Sequence, residues 1–328
     1  MNFGVLSTAT IGQVAVIPAI QDTDHDVLAI ASREADRAQE VAEEFDVPRS
    51  YGSYEALLED DDLDAVYNPL PNALHAEWTK RAADRGLDVL CEKPLAVDAE
   101  QAREVGDYCE EQSVTLMEAF MYRYHPRTEH AVEIVREQLG ELRTVHAAFH
   151  FPLPERYDVR LDPDLAGGSL MDVGCYAVSA ARLFLGEPER VYATSQDARD
   201  SGVDTELSAH LEFDGGATAT ITSGFDSPDR QHYRVVAEDG WVRADPAFVP
   251  RGDDGVGIVA EVGDRHVEES FDPTDQYRLE VEHFAECVEQ GKRPRTDADE
   301  AVRNMAVIGA LYESAQRGQP VEVTVPGE

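Results

Sequence analysis

The chain predicts a two-domain protein: an α/β domain with a parallel sheet covered by helices on both faces, then an α+β domain on a mostly antiparallel open β-sheet. Three observations carry this. Short apolar runs alternate with helical stretches through the first third of the chain. A turn of small residues directly follows the first of those runs. Beyond residue 143 the alternation gives way to strand-like segments separated by Asp-Gly turns.

Taken in order, residues 3–7 form the first apolar run, and residues 11–21 read as a helix. A second run at 27–31 precedes an amphipathic helix over 34–45. Residues 65–68, 89–91 and 114–117 complete five expected strands, with helices over 73–85 and 99–111 between them. Such βαβα alternation implies parallel strands joined by crossover helices. In the second part, strands are expected at 144–151, 190–195, 205–213, 217–223 and 233–237, with turns at Asp214-Gly215-Gly216 and Glu238-Asp239-Gly240. A helix over 168–185 interrupts them, and two more follow at 277–290 and 297–316. The expected domains are 1–118 and 119–328, the second serving substrate and oligomerisation.

Bulk properties narrow the function. A length of 328 residues exceeds what one core holds, about 250–300 residues. No apolar run approaches the roughly 18 residues of a membrane span. The first run, Phe3-Gly4-Val5-Leu6, has no basic segment ahead of it, so a cytoplasmic protein is expected. Cys91, Cys109, Cys175 and Cys287 match no zinc spacing, so no metal is expected. Sixty-six acidic residues against 28 basic leave a net charge of -38, spread along the chain rather than gathered in a tail. Lysine occurs at 80, 93 and 292 alone. This composition resembles that of proteins from salt-accumulating organisms, and it leaves no basic patch for nucleic acid or an anionic membrane.

Between the first run and its helix stands Ser7-Thr8-Ala9-Thr10-Ile11-Gly12. This is where a Rossmann domain places its glycine-rich dinucleotide turn, which needs a tight bend, close backbone approach and a helix N-terminus aimed at pyrophosphate. Gly12 is the one glycine; Ala9 is small, and Ser7 departs at the bend. The second run ends in Ala31-Ser32-Arg33, with Arg37 a turn later and no acid to accept from a ribose hydroxyl. A guanidinium and a hydroxyl there suit a 2′-phosphate, so NADP is expected over NAD. The alternative is that Arg33 and Arg37 pair with helix acids such as Glu40 or Glu44.

Cys91-Glu92-Lys93-Pro94-Leu95 closes the fourth run, at the carboxyl edge where open α/β sheets bind ligands. A lysine there can donate to a substrate oxygen and support proton transfer as hydride leaves the neighbouring carbon. Glu92-Lys93-Pro94 resembles the signature of the glucose–fructose oxidoreductase / inositol dehydrogenase (Gfo/Idh/MocA) family. Three further segments are similar to that family: 68–75 (Asn-Pro-Leu-Pro-Asn-Ala-Leu-His), 117–126 (Met-Glu-Ala-Phe-Met-Tyr-Arg-Tyr-His-Pro) and 167–176 (Gly-Gly-Ser-Leu-Met-Asp-Val-Gly-Cys-Tyr). The last two resemble the branch of dimeric dihydrodiol dehydrogenase and NADP-dependent D-xylose dehydrogenase.

The resemblance implies a nicotinamide-dependent dehydrogenase or reductase acting on CH–OH groups, with Lys93 as the principal acid/base or oxyanion-orienting group and Tyr176 and Asp172 as further catalytic residues beside the substrate. Leu70, Asn72, His75 and Glu92 would line the nicotinamide side, with His75 positioning the chain. Many relatives carry histidine where Tyr176 stands. Arg123, Tyr124 and His125 would bind substrate hydroxyls or shape the cleft, and Tyr157 and Arg160 are further candidates from a loop. The expected reaction is oxidation of an aldose such as xylose or glucose at its anomeric carbon. Alternatives are a trans-dihydrodiol dehydrogenase, a dicarbonyl-sugar reductase, or a non-catalytic NADP-binding regulator. Relatives commonly form homodimers or homotetramers.

Overall fold

A computed structural model describes residues 1–250, 255–272 and 274–327. The chain divides into two compact units, Met1–Met121 with Asp275–Val302, and Tyr122–Thr274 with Arg303–Glu328.

The first unit is a six-stranded parallel sheet, β1 (Asn2–Leu6), β2 (Asp26–Ala31), β3 (Arg49–Tyr51), β4 (Ala65–Asn68), β5 (Asp88–Glu92) and β6 (Leu116–Ala119). Its order is β3-β2-β1-β4-β5-β6, so the direction of winding reverses between β1 and β4. Loops at the carboxyl ends of strands flanking such a reversal are where these sheets bind ligands. All four residues of β4 are buried, as expected for a strand covered on both faces. The helices are α1 (Ile17–Gln21), α2 (Ala35–Glu44), α3 (Tyr54–Leu58), α4 (Asn72–Ala83) and α5 (Ala99–Gln112). Ser53 and Asp98 cap α3 and α5 by accepting from the backbone N–H groups of Ala56 and Gln101, each three residues further on.

The second unit holds a nine-stranded sheet. Its strands are β7 (Leu142–His150), β8 (Pro188–Gln196), β9 (Glu206–Phe213), β10 (Thr218–Gly224), β11 (Arg230–Ala237), β12 (Gly240–Ala244), β13 (Gly257–Val262), β14 (Arg265–Ser270) and β15 (Val321–Glu322). The order is β14-β13-β12-β11-β7-β10-β9-β8-β15, antiparallel except between β7 and β10. Helix α6 (Pro126–Gln138) precedes the central strand β7, and α7 (Cys175–Leu185) lies between β7 and β8 in sequence. Helix α7 covers one face, setting Tyr176 on Phe149 and Phe184 on Tyr233 with ring centroids 5.4 and 5.2 Å apart. The register places Tyr192, His210, Thr220, His146, Arg234 and Arg243 in a row on the opposite, exposed face.

Several elements differ from the sequence expectation. β3 is a three-residue polar edge strand with no apolar run to announce it. α6 opens on Pro126 with His125 as its cap and carries few buried apolar residues, so its periodicity is faint. The helices expected at 11–21 and 168–185 each open as a π-helical turn, Gly12–Val16 and Leu170–Gly174. Residues Asp275–Val302, expected with the second domain, cluster with the first unit. The cause is packing: on α8 (Gln276–Gln290), Phe284 meets Phe3 with ring centroids 6.0 Å apart. At the start of α9 (Ala298–Arg317), Asp299 takes Arg103, and Ala298 sits so close to Gly106 that a Cβ there would fall 2.5 Å from it.

Candidate active site

In the first unit, β1 runs into a bend at Ser7, whose φ of 133° is a conformation that favours glycine. Its Oγ accepts from the Ala9 N–H at 3.2 Å, and Gln13 Nε2 donates to the Thr8 carbonyl at 2.7 Å. The serine thus replaces glycine at a backbone cost and offsets part of it with a local bond. Helix begins at Thr10, so the N–H groups of Thr10, Ile11 and Gly12 belong to a first turn without intrahelical partners. A Cβ on Gly12 would make only ordinary contact with Tyr67, 3.7 Å away, so packing against β4 does not demand glycine.

At the end of β2, the Ser32 Oγ accepts from the Glu34 N–H at 3.2 Å. Arg33 lies against Tyr54, whose hydroxyl burial pushes upward and Arg33 pulls back. Arg37 pairs with Glu40 at 3.2 Å, the alternative foreseen for it, so Arg33 is the better placed of the two for a phosphate. These features fit NADP: a bent small-residue loop, a helix start, and a hydroxyl with a guanidinium where the adenosine ribose would lie.

The Lys93 turn is braced from three sides. Tyr67 donates its hydroxyl to Glu92 Oε1 at 2.7 Å, with its own proton held tightly by full burial and by that carboxylate. His75 bridges the Pro94 and Leu70 carbonyls through Nδ1 and Nε2 at 2.8 and 2.6 Å. Burial pushes its imidazole down to about 4, helped by the Lys93 ammonium, so at neutral pH it is a neutral brace that can donate to one carbonyl at a time. Glu118 accepts from the Leu95 N–H at 2.8 Å and is itself tied to Thr296. The Lys93–Pro94 peptide is cis. Leu70 is buried, while Asn72 is half-buried at the start of α4. Tyr67, Glu118 and the buried Glu280 escaped sequence reasoning. Burial first, and Glu92 next, hold the Glu280 carboxyl well above its ordinary value.

In the second unit, Asp172 lies on the π turn and Tyr176 on the first turn of α7. Tyr176 is 4% exposed, seated among Tyr122, Phe149 and Phe248. Asp172 Oδ2 accepts from Arg160 Nε at 2.8 Å. Asp204 anchors the segment's start, accepting from Ser169 Oγ at 2.7 Å, Leu170 N–H at 2.8 Å and Tyr312 OH at 2.8 Å. Gly168 has φ +119°, and a Cβ there would fall 2.3 Å from Asp204 Oδ1, so only glycine closes this turn. Asp204 and Tyr312 gave no sequence signal, being remote in the chain. Arg123 Nη1 reaches Ser179 Oγ at 3.4 Å, and Tyr124 is buried. His125 caps α6 by accepting from the Arg127 N–H at 3.0 Å, a structural post. Tyr157 is 96% exposed. Among the described residues no cluster of three or more His, Cys, Asp or Glu could hold a metal ion, and no helix is long and apolar enough to cross a membrane.

A family model described as "Oxidoreductase family, NAD-binding Rossmann fold" matches residues 1–120, and one for the "GFO/IDH/MocA C-terminal domain" matches residues 129–243. The chain belongs to the GFO/IDH/MocA oxidoreductase family. Within it, the chain is 57% identical to D-xylose 1-dehydrogenase (NADP(+)) 2 of Haloferax volcanii, over 98% of this chain and 100% of that one. The structure resembles an aldose-aldose oxidoreductase from Caulobacter crescentus complexed with glycerol, with a TM-score of 0.91 and 29% identity over 98% of this chain and 99% of that one. It also resembles a 3-ketoreductase from Actinomadura kijaniata in complex with NADP and TDP-benzene, with a TM-score of 0.90 and 34% identity over 96% and 97%. In this GFO/IDH/MocA protein the Glu92-Lys93-Pro94 turn stands at the carboxyl end of β5.

Proposed function

We propose that this chain is an NADP-dependent aldose 1-dehydrogenase, oxidising an aldose of the xylose or glucose type at its anomeric carbon to the lactone. The observation that carries the reading is Lys93, held at a carboxyl strand end by a turn braced through Glu92, His75 and Glu118. Identity of 57% to a D-xylose dehydrogenase over nearly the whole chain supports the substrate class and the cofactor.

Ser7, Thr8, Ala9, Thr10, Ile11 and Gly12 would cradle the pyrophosphate, and Ser32 and Arg33, with Arg37 at the rim, would meet the 2′-phosphate. Leu70, Asn72, His75 and Glu92 would hold the nicotinamide end. Bound NADP supplies the hydride acceptor. Lys93 donates to the substrate oxygen and supports loss of its proton as the carbon gives up hydride. Tyr176 is the second proton-handling group, and Asp172 accepts from a neighbouring hydroxyl. Arg123 and Tyr124 shape the substrate side; exposed Tyr157 is the weakest member of the set. We place the protein in the cytoplasm and its self-association, as dimer or tetramer, on the exposed face of the nine-stranded sheet.

The test is reduced-nicotinamide absorbance in molar KCl with xylose, glucose and arabinose, using NADP and NAD in parallel. Sugar-dependent NADP reduction is expected, with Arg33→Ala raising the NADP KM about 10–100-fold, the worth of one charged hydrogen-bonding group. Folded protein that reduces NADP with no sugar would turn the assignment toward dihydrodiols, dicarbonyl sugars or a regulator.

A further inference from the structure

Arg160 is bound to the Asp172 segment twice over. Through its side chain, Nε donates to Asp172 Oδ2 at 2.8 Å and Nη1 to Asp158 Oδ1 at 3.2 Å. Through its backbone, its carbonyl accepts from the Gly168 N–H at 2.8 Å. A Cβ on Gly167 would fall 2.5 Å from that same carbonyl, so the glycine pair exists partly to let Arg160 approach. The Asp158 carboxylate also accepts from the Arg160 N–H at 2.9 Å, fixing the short turn that presents it. The Phe151 ring lies 5.9 Å from the guanidinium carbon and backs its face. A guanidinium has five N–H donors in a planar fork. Two of its three nitrogens are engaged by carboxylates; Nη2 meets no acceptor among the described residues, and the side chain is 40% exposed.

The outcome is a rigid donor edge beside a carboxylate. We propose that Arg160 is a substrate-contacting, specificity-determining residue that, with Asp172, grips adjacent hydroxyls of an uncharged polyol and leaves phosphorylated sugars excluded. One hydroxyl donates to Asp172 while its neighbour accepts from Arg160 Nη2, a pairing that matches a vicinal diol. The charge of the cluster explains the exclusion: one guanidinium between two carboxylates is a net negative group, so it offers directed donors without attracting a dianion. This deepens the dehydrogenase reading and rests on it only for the identity of the reacting carbon.

The experiment compares wild type, Arg160→Ala, Arg160→Lys and Asp158→Asn, each checked for fold by circular dichroism. The substrates are D-xylose, D-glucose, trans-1,2-cyclohexanediol, D-xylose 5-phosphate and D-glucose 6-phosphate with NADP. Wild type is expected to favour the uncharged compounds by about 100-fold or more in kcat/KM. Arg160→Ala should raise KM for the preferred substrate about 10–100-fold with kcat changed about threefold at most, since the contact exists before and during reaction. Arg160→Lys keeps the charge, loses the fork and should recover only part of the affinity. Asp158→Asn should narrow the preference against phosphate about tenfold.

An unchanged KM in folded Arg160→Ala, or in Arg160→Lys should the alanine variant not fold, overturns the proposal. So does wild-type use of phosphorylated sugars as good as that of neutral ones. Turnover of the cyclohexanediol alone, with the same dependence on Arg160, would sink the aldose reading and keep this one. Calorimetric binding of xylitol to NADP-loaded protein reads the contact without turnover: binding weakened in Arg160→Lys supports it, and absence of binding to wild type overturns it.

Discussion

Lys93 is one of three lysines in a chain of net charge -38, and its surroundings show why the position is not a surface accident. Three separate bonds fix the turn that carries it. Removing the amine by Lys93→Met should lower kcat about 10²–10⁴-fold, the usual worth of a positioned proton-transfer group, while NADP binding measured by fluorescence stays close to wild type. Unchanged turnover would remove Lys93 from the chemistry. His75 makes a second residue-scale prediction. Its folded value of about 4 lies below the ordinary 6.5, so the folded chain refuses a proton that the unfolded chain takes up. The stability it contributes is complete above pH 6.5 and is lost as pH falls from there toward 4, by about 3 kcal/mol in all. His75→Gln should be less stable at pH 7 and show a flatter fall of melting temperature between pH 6.5 and 4.5. An equally steep fall would mean that other groups govern the acid limb. Both residues were named from sequence, but the reason for each role lies in partners the sequence does not mark.

At the scale of single elements, the segment from Gly167 to Leu185 shows how a motif becomes a positioned site. The sequence announces a helix there, and the glycines ahead of it announce a bend. What holds the bend is Asp204, distant in sequence, accepting from Ser169, from the Leu170 N–H and from Tyr312. Burial raises the Asp204 carboxyl while those donors pull it back, so the group depends on its partners to remain useful as an acceptor. Asp204→Ala should leave the Leu170 N–H and the Tyr312 hydroxyl without the acceptor they now use, costing about 2–4 kcal/mol, with lost activity recovered in part by Asp204→Asn. Equal stability of wild type and the alanine variant in urea unfolding would refute the anchoring role. Gly168→Ala tests the same turn from the other side: its Cβ would meet Asp204 and its φ would be strained, so activity should fall without loss of NADP affinity. The five short apolar runs of the first sheet were legible because buried parallel strands are continuously apolar. β3 was not, since a short edge strand needs no such run.

For the whole molecule, acidity is the dominant trait. Sixty-six acids on one chain repel one another at low ionic strength, and salt shortens the range of that repulsion to about 3 Å at 1 M. The melting temperature should therefore rise on the order of 10 °C between 0.1 and 2 M KCl, the equivalent of a few kcal/mol. A flat response would show that the ion pairs already present, such as Arg49 with Asp60 and Asp62, balance the surface. The sequence by itself determined the class of fold, five of the six strands of the first sheet with the helices between them except α3, the lysine turn and the tyrosine-bearing helix. These follow from local periodicity and from short motifs, which the chain carries in consecutive residues. Tertiary structure alone decided that Asp275–Val302 joins the first unit, that Arg37 takes Glu40 while Arg33 lies on Tyr54, and that Arg160 clasps Asp172. Those outcomes depend on pairs of groups far apart in the chain or free to choose among several neighbours, and packing, not sequence pattern, makes that choice.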